Sequence, residues 1–155
     1  MSADHVADKY KFSKQAASYI AGIVDGEGYI GITKYKAASQ NFVYRAQLEI
    51  GMCDPQALTY IAKETKIKVL KIKRTDSVRK SIYRIRLSGP RAIYFLEQIQ
   101  SFLKVKRVQA DLCTKLQVSI EKREKPVKDK RGLHKTVVSY REKLWKRCCH
   151  LNSGT

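Results

Sequence analysis

A chain of 155 residues, 43% of them apolar, is one domain's worth of core and needs neither disulfides nor a metal to fold. Thirty-two Lys and Arg against 14 Asp and Glu leave a formal charge of +18, a self-repulsion that nucleic acid, the commonest polyanionic partner, would relieve. No apolar signal core opens the sequence and no apolar run is long enough to cross a bilayer, so an intracellular protein without targeting signal or membrane contact is expected. Cys53, Cys113, Cys148 and Cys149 show no CxxC spacing and are expected as reduced thiols; Cys148-Cys149-His150 has no second cluster to complete a metal tetrahedron.

In chain order, Ser13 is placed to cap a first helix running to Val24, where the glycines of DGEG are expected to break it. Two strand-like stretches follow, Tyr29 to Lys36 and Phe42 to Ile50, separated by AASQN. Asp54 as N-cap and Pro55 as first helical residue open a second helix that reaches about Thr65. Lys68 to Arg74 and Ser81 to Leu87 predict two more strands. Gly89-Pro90 then starts a third helix carrying Ala92, Ile93, Phe95, Leu96, Ile99 and Phe102, and a fourth spans about Val105 to Arg123. The charged stretch EKPVKDKRGLHK reads as a linker, and Thr136 to Leu151 as one more amphipathic helix. Residues 1–123 are thus expected to form a core and 124–155 a basic C-terminal extension, an accessory clamp outside that core. The fold class is α+β, with a four-stranded, mostly antiparallel sheet.

Alternation along the strands gives the sheet two unlike faces. Tyr44, Ala46, Leu48 and Ile50 alternate with Arg45, Gln47 and Glu49; Tyr83, Ile85 and Leu87 alternate with Arg84 and Arg86. Leu70 and Ile72 alternate with Lys71 and Lys73, which places those lysines on the polar face by the same reading. With Tyr29, Thr33 and Tyr35 from the first strand, these positions form a candidate platform for DNA, since Arg and Gln suit base edges in a major groove. A merely solvated face is the alternative.

The densest chemistry lies in Ile20 to Gly28, IAGIVDGEG. Ala17 and Ala21, like Ser18 and Gly22, are four apart and share a helix face, where small side chains admit a second helix closely; tight packing inside one monomer is the ordinary alternative. Asp25 and Glu27 stand at the helix C-terminus, where the macrodipole disfavours negative charge by up to about 1 kcal/mol unless a cation compensates. Mg²⁺ suits such oxygen ligands, and Gly26 and Gly28 leave room for approach.

IAGIVDGEG resembles the nine-residue LAGLIDADG signature of a homing endonuclease family, with Glu27 in place of the second aspartate. The order αββαββα over residues 10 to 123 is similar to that family's half-domain, and LKVKRVQA (Leu103 to Ala110) resembles its lysine-bearing segment. The resemblance implies that Glu27, with the carbonyl of Gly26, holds a divalent metal and that Lys106 is the active-site lysine. It sets Asp54 near the metal, although its capping role already explains that residue. Asp25 would serve the helix junction by capping a neighbouring helix, and Ala17, Ala21, Gly22 and Asp25 would line a dimer interface. A single motif implies a homodimer whose two sheets form a saddle on a long pseudo-palindromic duplex. Mg²⁺-dependent hydrolysis would leave short 3′ overhangs, and the gene would be organellar (chloroplast or mitochondrion) or prokaryotic. An intron RNA maturase and a non-cutting DNA-binding protein are the alternatives on the same fold; a ribosomal protein would leave the motif unexplained.

Overall fold

The computed structural model describes residues 10–38, 41–73, 80–122 and 135–154. Ser13 Oγ accepts the Ala16 amide at 3.1 Å and starts α1 (Lys14–Glu27), whose buried stripe is Ala16, Ala17, Ile20, Ala21 and Val24. The helix does not stop at Val24 as expected. Glycine within a helix costs about 1 kcal/mol, yet α1 continues through Gly26 because its last carbonyls find donors. The Gly28 amide returns to the Val24 carbonyl, and the Lys106 ammonium donates to the carbonyls of Val24 and Asp25.

The first hairpin pairs β1 (Gly28–Lys36) with β2 (Phe42–Met52), from Gly28 opposite Ile50 to Lys36 opposite Phe42. Asp54 Oδ1 then accepts the Gln56 amide at 2.9 Å, and α2 (Gln56–Thr65) opens one residue later than expected, with Pro55 as its N-cap in helical dihedrals. Lys66 ends that helix in the left-handed region, at φ 56°. The second hairpin pairs β3 (Leu70–Ile72) with β4 (Ile82–Ser88), and β3 is shorter than the expected Lys68–Arg74. Arg74 and the TDSVRK loop up to Arg79 lie outside the described residues.

Three helices complete the chain: α3 (Pro90–Ile99), α4 (Arg107–Glu121) after a 3-10 turn at Gln100–Phe102, and α5 (Lys135–Asn152). All strand pairs are antiparallel, in the order β1-β2-β4-β3. This is the α+β architecture and αββαββα order expected from the sequence. Ile30, Ile32, Tyr44, Ala46, Leu48, Ile50, Ile85 and Leu87 pack with α1, α3 and α4 into one core, so the sheet's buried residues face the helices.

Two placements differ from expectation. Residues directly opposite in an antiparallel pair stand on the same face, and Lys71 is opposite Tyr83, whereas Leu70 is opposite Arg84. The core positions Ile85 and Leu87 fix the phase of β4, and pairing imposes that phase on β3. Lys71 therefore lies on the helix side, its ammonium 5.6 Å from the Tyr83 ring centre, and not on the polar face. Lys73, just past the end of β3, follows Lys71 in the alternation, so the shared-face argument for it falls too.

The second difference concerns α5, which joins the core. Leu144 and Cys148 are buried with the sheet residues, and Trp145 packs against them. Asn152 Nδ2 donates to the Ile30 carbonyl at 2.9 Å, on the strand that begins the sheet order and is otherwise an open edge.

Candidate active site

The C-terminal end of α1 gathers the residues singled out by the sequence. Asp25 Oδ2 accepts the Lys104 amide at 2.7 Å and Oδ1 accepts the Lys106 amide at 3.0 Å. It thus caps the entry to α4, the neighbouring-helix role expected of it. Partial burial raises its pKa, but amides of Lys104, Lys106 and Val105 outweigh this and hold the carboxyl below its ordinary value. Because the same backbone turn carries Lys106, this cap also aims the Lys106 side chain back at α1. There its ammonium supplies the positive charge that a helix C-terminus favours.

Glu27 ends α1 and is exposed. Gly26 is exposed beside it, and a carbon added there would meet nothing within 4 Å, so a phosphate or a second chain can come close. Asp54 is exposed as well; since Gly28 pairs with Ile50, the end of β2 that leads to Asp54 lies at the same end of the sheet as Glu27. Lys106 and the end of α1 are in contact, whereas Asp54 is held by its own helix. Among the described residues, no three of His, Cys, Asp and Glu converge as a cation cage. A divalent ion at Glu27 therefore fits only if DNA phosphates, water or a second copy complete its oxygen shell. All four cysteines are free thiols, as expected, with Cys113 and Cys148 buried.

The sheet face turned away from the helices carries Tyr29, Thr33, Tyr35, Arg45, Gln47, Glu49, Arg84 and Arg86, in register across three strands. Glu49 organises its centre. Its Oε2 accepts Arg86 Nε at 2.7 Å, while Arg84 Nε lies 2.9 Å from Oε1 but is too poorly aligned for a hydrogen bond, leaving an ion pair. Arg45 lies over the Tyr35 ring at 5.7 Å, and Tyr29 folds across Gly31.

The expected dimer face needs correction. Ala17 and Ala21 are buried at 3% and 0% exposure within the monomer, because they share the stripe of Ile20 and Val24. The small residues left outside are Ser18, Gly22 and Gly26, again four apart, and a carbon added at Gly22 meets nothing within 4 Å. Spacing alone shows both stripes; only the packing tells which one faces out.

Comparison with solved structures places the fold. The homing endonuclease I-CvuI, solved with the I-CreI target in Mg with its DNA not cleaved, superimposes with a TM-score of 0.68 at 19% identity, over 89% of this chain and 82% of its own. The archaeal intron-encoded endonuclease I-Vdi141I, bound to DNA, gives 0.64 at 15% identity over 87% and 82%. The chain has the LAGLIDADG homing-endonuclease fold. I-GzeII, a LAGLIDADG endonuclease solved on its DNA target, also matches at 0.64 and 14% identity, but this chain spans 83% of itself and only 43% of I-GzeII. No protein-family model and no curated protein matches the sequence. Among the described residues, no helix of this LAGLIDADG fold is long and apolar enough to cross a membrane.

Proposed function

We propose that this chain is one protomer of a homodimeric, site-specific endonuclease that hydrolyses both strands of a duplex. The observation that carries this reading is the meeting of Lys106 with the end of α1, beside an exposed Glu27 and at one end of an arginine-bearing open sheet face. Two such chains related by a two-fold axis along the Ser18–Gly22–Gly26 stripe would bring both Glu27 carboxylates to the centre of the duplex, one for each strand. A pseudo-palindromic target follows from that symmetry, and short 3′ overhangs follow from the family resemblance.

Glu27 and the Gly26 carbonyl would hold a divalent cation, with Mg²⁺ the first candidate given that I-CvuI was crystallised with Mg or Ca. Bound there, it supplies Lewis acidity to the scissile phosphate and its attacking water. The chain's own residues do the rest. Lys106 places positive charge where negative charge grows on the phosphate oxygens, Asp25 fixes Lys106, and Arg45, Arg84 and Arg86 hold the duplex. The oligomer is testable separately. Gly22→Leu faces open space inside its own chain, so it should fold normally yet sediment as a monomer and lose cleavage, whereas Ala17→Leu should unfold the monomer core.

The activity is tested by incubating the protein with Mg²⁺ and a plasmid library of candidate sites and sequencing the linearised molecules. Linear products sharing one two-fold-related sequence are expected. Binding with no linear product under any divalent ion would favour a DNA-binding scaffold instead.

A further inference from the structure

The open face of the sheet changes chemistry across its width. From β1 to β4 it carries Thr33, Arg45, Gln47, Glu49, Arg84 and Arg86. Beyond Arg84 it turns aliphatic. Leu70 stands opposite Arg84 and Ile72 opposite Ile82; Leu70 is 47% exposed, Ile72 36%, and Ile82 is half-buried. An edge strand is usually blunted by charge on its open side. Here Lys71 faces the helix side, leaving three branched aliphatic side chains contiguous with two arginines.

We propose that Leu70, Ile72 and Ile82 read thymine methyl groups in the major groove, so that the target carries thymines beneath the outer edge of each sheet. The proposal rests on the sheet being the DNA interface and adds to it a base class and the side chains that select it. The occupant is chosen by the mixture of chemistries. Arg84 and Arg86 call for an anion or a guanine edge, and the aliphatics call for an apolar contact in the same plane. The major groove offers both within one or two base pairs, because thymine projects its C5 methyl there. A protein partner covering this patch would have to bring carboxylates against Arg84 and Arg86, where the Glu49 carboxylate already stands, whereas a guanine edge brings acceptors without a second negative charge.

Two linked measurements test it. In the first, duplexes are selected from a randomised library by the wild-type protein and by Leu70→Ser/Ile72→Ser. The wild type should enrich a two-fold-symmetric sequence with thymine positions that the double variant no longer selects, while guanine positions persist. In the second, the wild-type protein is titrated with its selected duplex carrying deoxyuridine for thymidine at one position at a time. Affinity should fall about fourfold at each position read by the patch, the loss of about 0.8 kcal/mol expected for one buried carbon group, and be unchanged elsewhere. This arm uses the unaltered protein, so a folding defect cannot mimic the result. Uracil tolerated at every position, or thymine positions retained by the double variant, would overturn the assignment and leave the DNA interface standing. Failure of the wild type to enrich any duplex sequence would overturn both and point to a protein partner for this face.

Discussion

Two lysines anchored at opposite ends of the structure show what separates a staple from a site. Lys34 donates to Glu142 at 2.7 Å, lies 4.2 Å from the Phe42 ring centre and 4.6 Å from that of Trp145, and so ties β1 to α5. Tyr44 gives its hydroxyl to the same carboxylate; burial and that bond push the Tyr44 pKa to about 12, while Lys34 and Tyr44 hold Glu142 below its ordinary value. Lys106 has no such enclosure. Its partners are helix carbonyls, and Glu27 and Gly26 beside it remain exposed. A lysine walled by aromatics and its own carboxylate holds a fold together. One set on a helix end beside an exposed carboxylate leaves that charge for something outside the chain.

Breaking the comparison at its functional end should give the largest effect. Lys106→Met should slow cleavage by about 100- to 1,000-fold, the scale of losing one well-placed group that stabilises transition-state charge, with a small change in thermal midpoint. A midpoint collapse with unchanged turnover per folded molecule would make Lys106 another Lys34.

The structural end should respond the opposite way. Leu144→Ala removes a core side chain that is 7% exposed, so the domain should lose about 2–3 kcal/mol in denaturant titration while cleavage per folded dimer stays near normal. Truncation before α5 should be worse, because it also uncovers the β1 edge. A truncated protein that melts like the full chain would restore the picture of an accessory tail.

Asp25 links the two behaviours, and its effect should be smallest. Asp25→Asn keeps one acceptor oxygen and loses charge, costing about 1 kcal/mol, as for a helix cap, and lowering cleavage only as far as Lys106 is misaimed. Its folded pKa is depressed, so its stabilising contribution is present above the unfolded-state value of a carboxylate. That contribution is lost as pH falls through the lower folded value. The wild type should therefore show an acid-side loss of stability that Asp25→Asn reduces, seen as a difference between their melting curves in acid.

Much of this was legible in the sequence because local signals and burial agreed. Ser13 caps its helix as read, Asp54-Pro55 opens the second helix within one residue of the expected start, and the alternation in β2 and β4 separates core from cations. Local pattern misleads where strand pairing overrides it, and it is silent where two solutions are equally good. Leu70-Lys71-Ile72 taken alone puts its aliphatics inward, and pairing with a strand whose phase Ile85 and Leu87 fix overrides that preference. Two small stripes on α1 lie about 100° apart, and only packing with α3 and the sheet selects which is covered. The Lys34–Glu142 staple joins residues 108 positions apart, a contact that no local pattern announces.

If the end of α1 is the catalytic site and the open sheet face supplies binding, Glu27→Gln separates the two. The measurement is the rate of plasmid linearisation in Mg²⁺ by Glu27→Gln and wild type, at protein concentrations giving equal occupancy of the same selected duplex in metal-free buffer. Near-equal or slightly tighter binding by the variant is expected, since one repulsive carboxylate is gone, with cleavage slower by orders of magnitude, because the ion's ligand is lost. Cleavage by Glu27→Gln at the wild-type rate would rule out a catalytic site at Glu27.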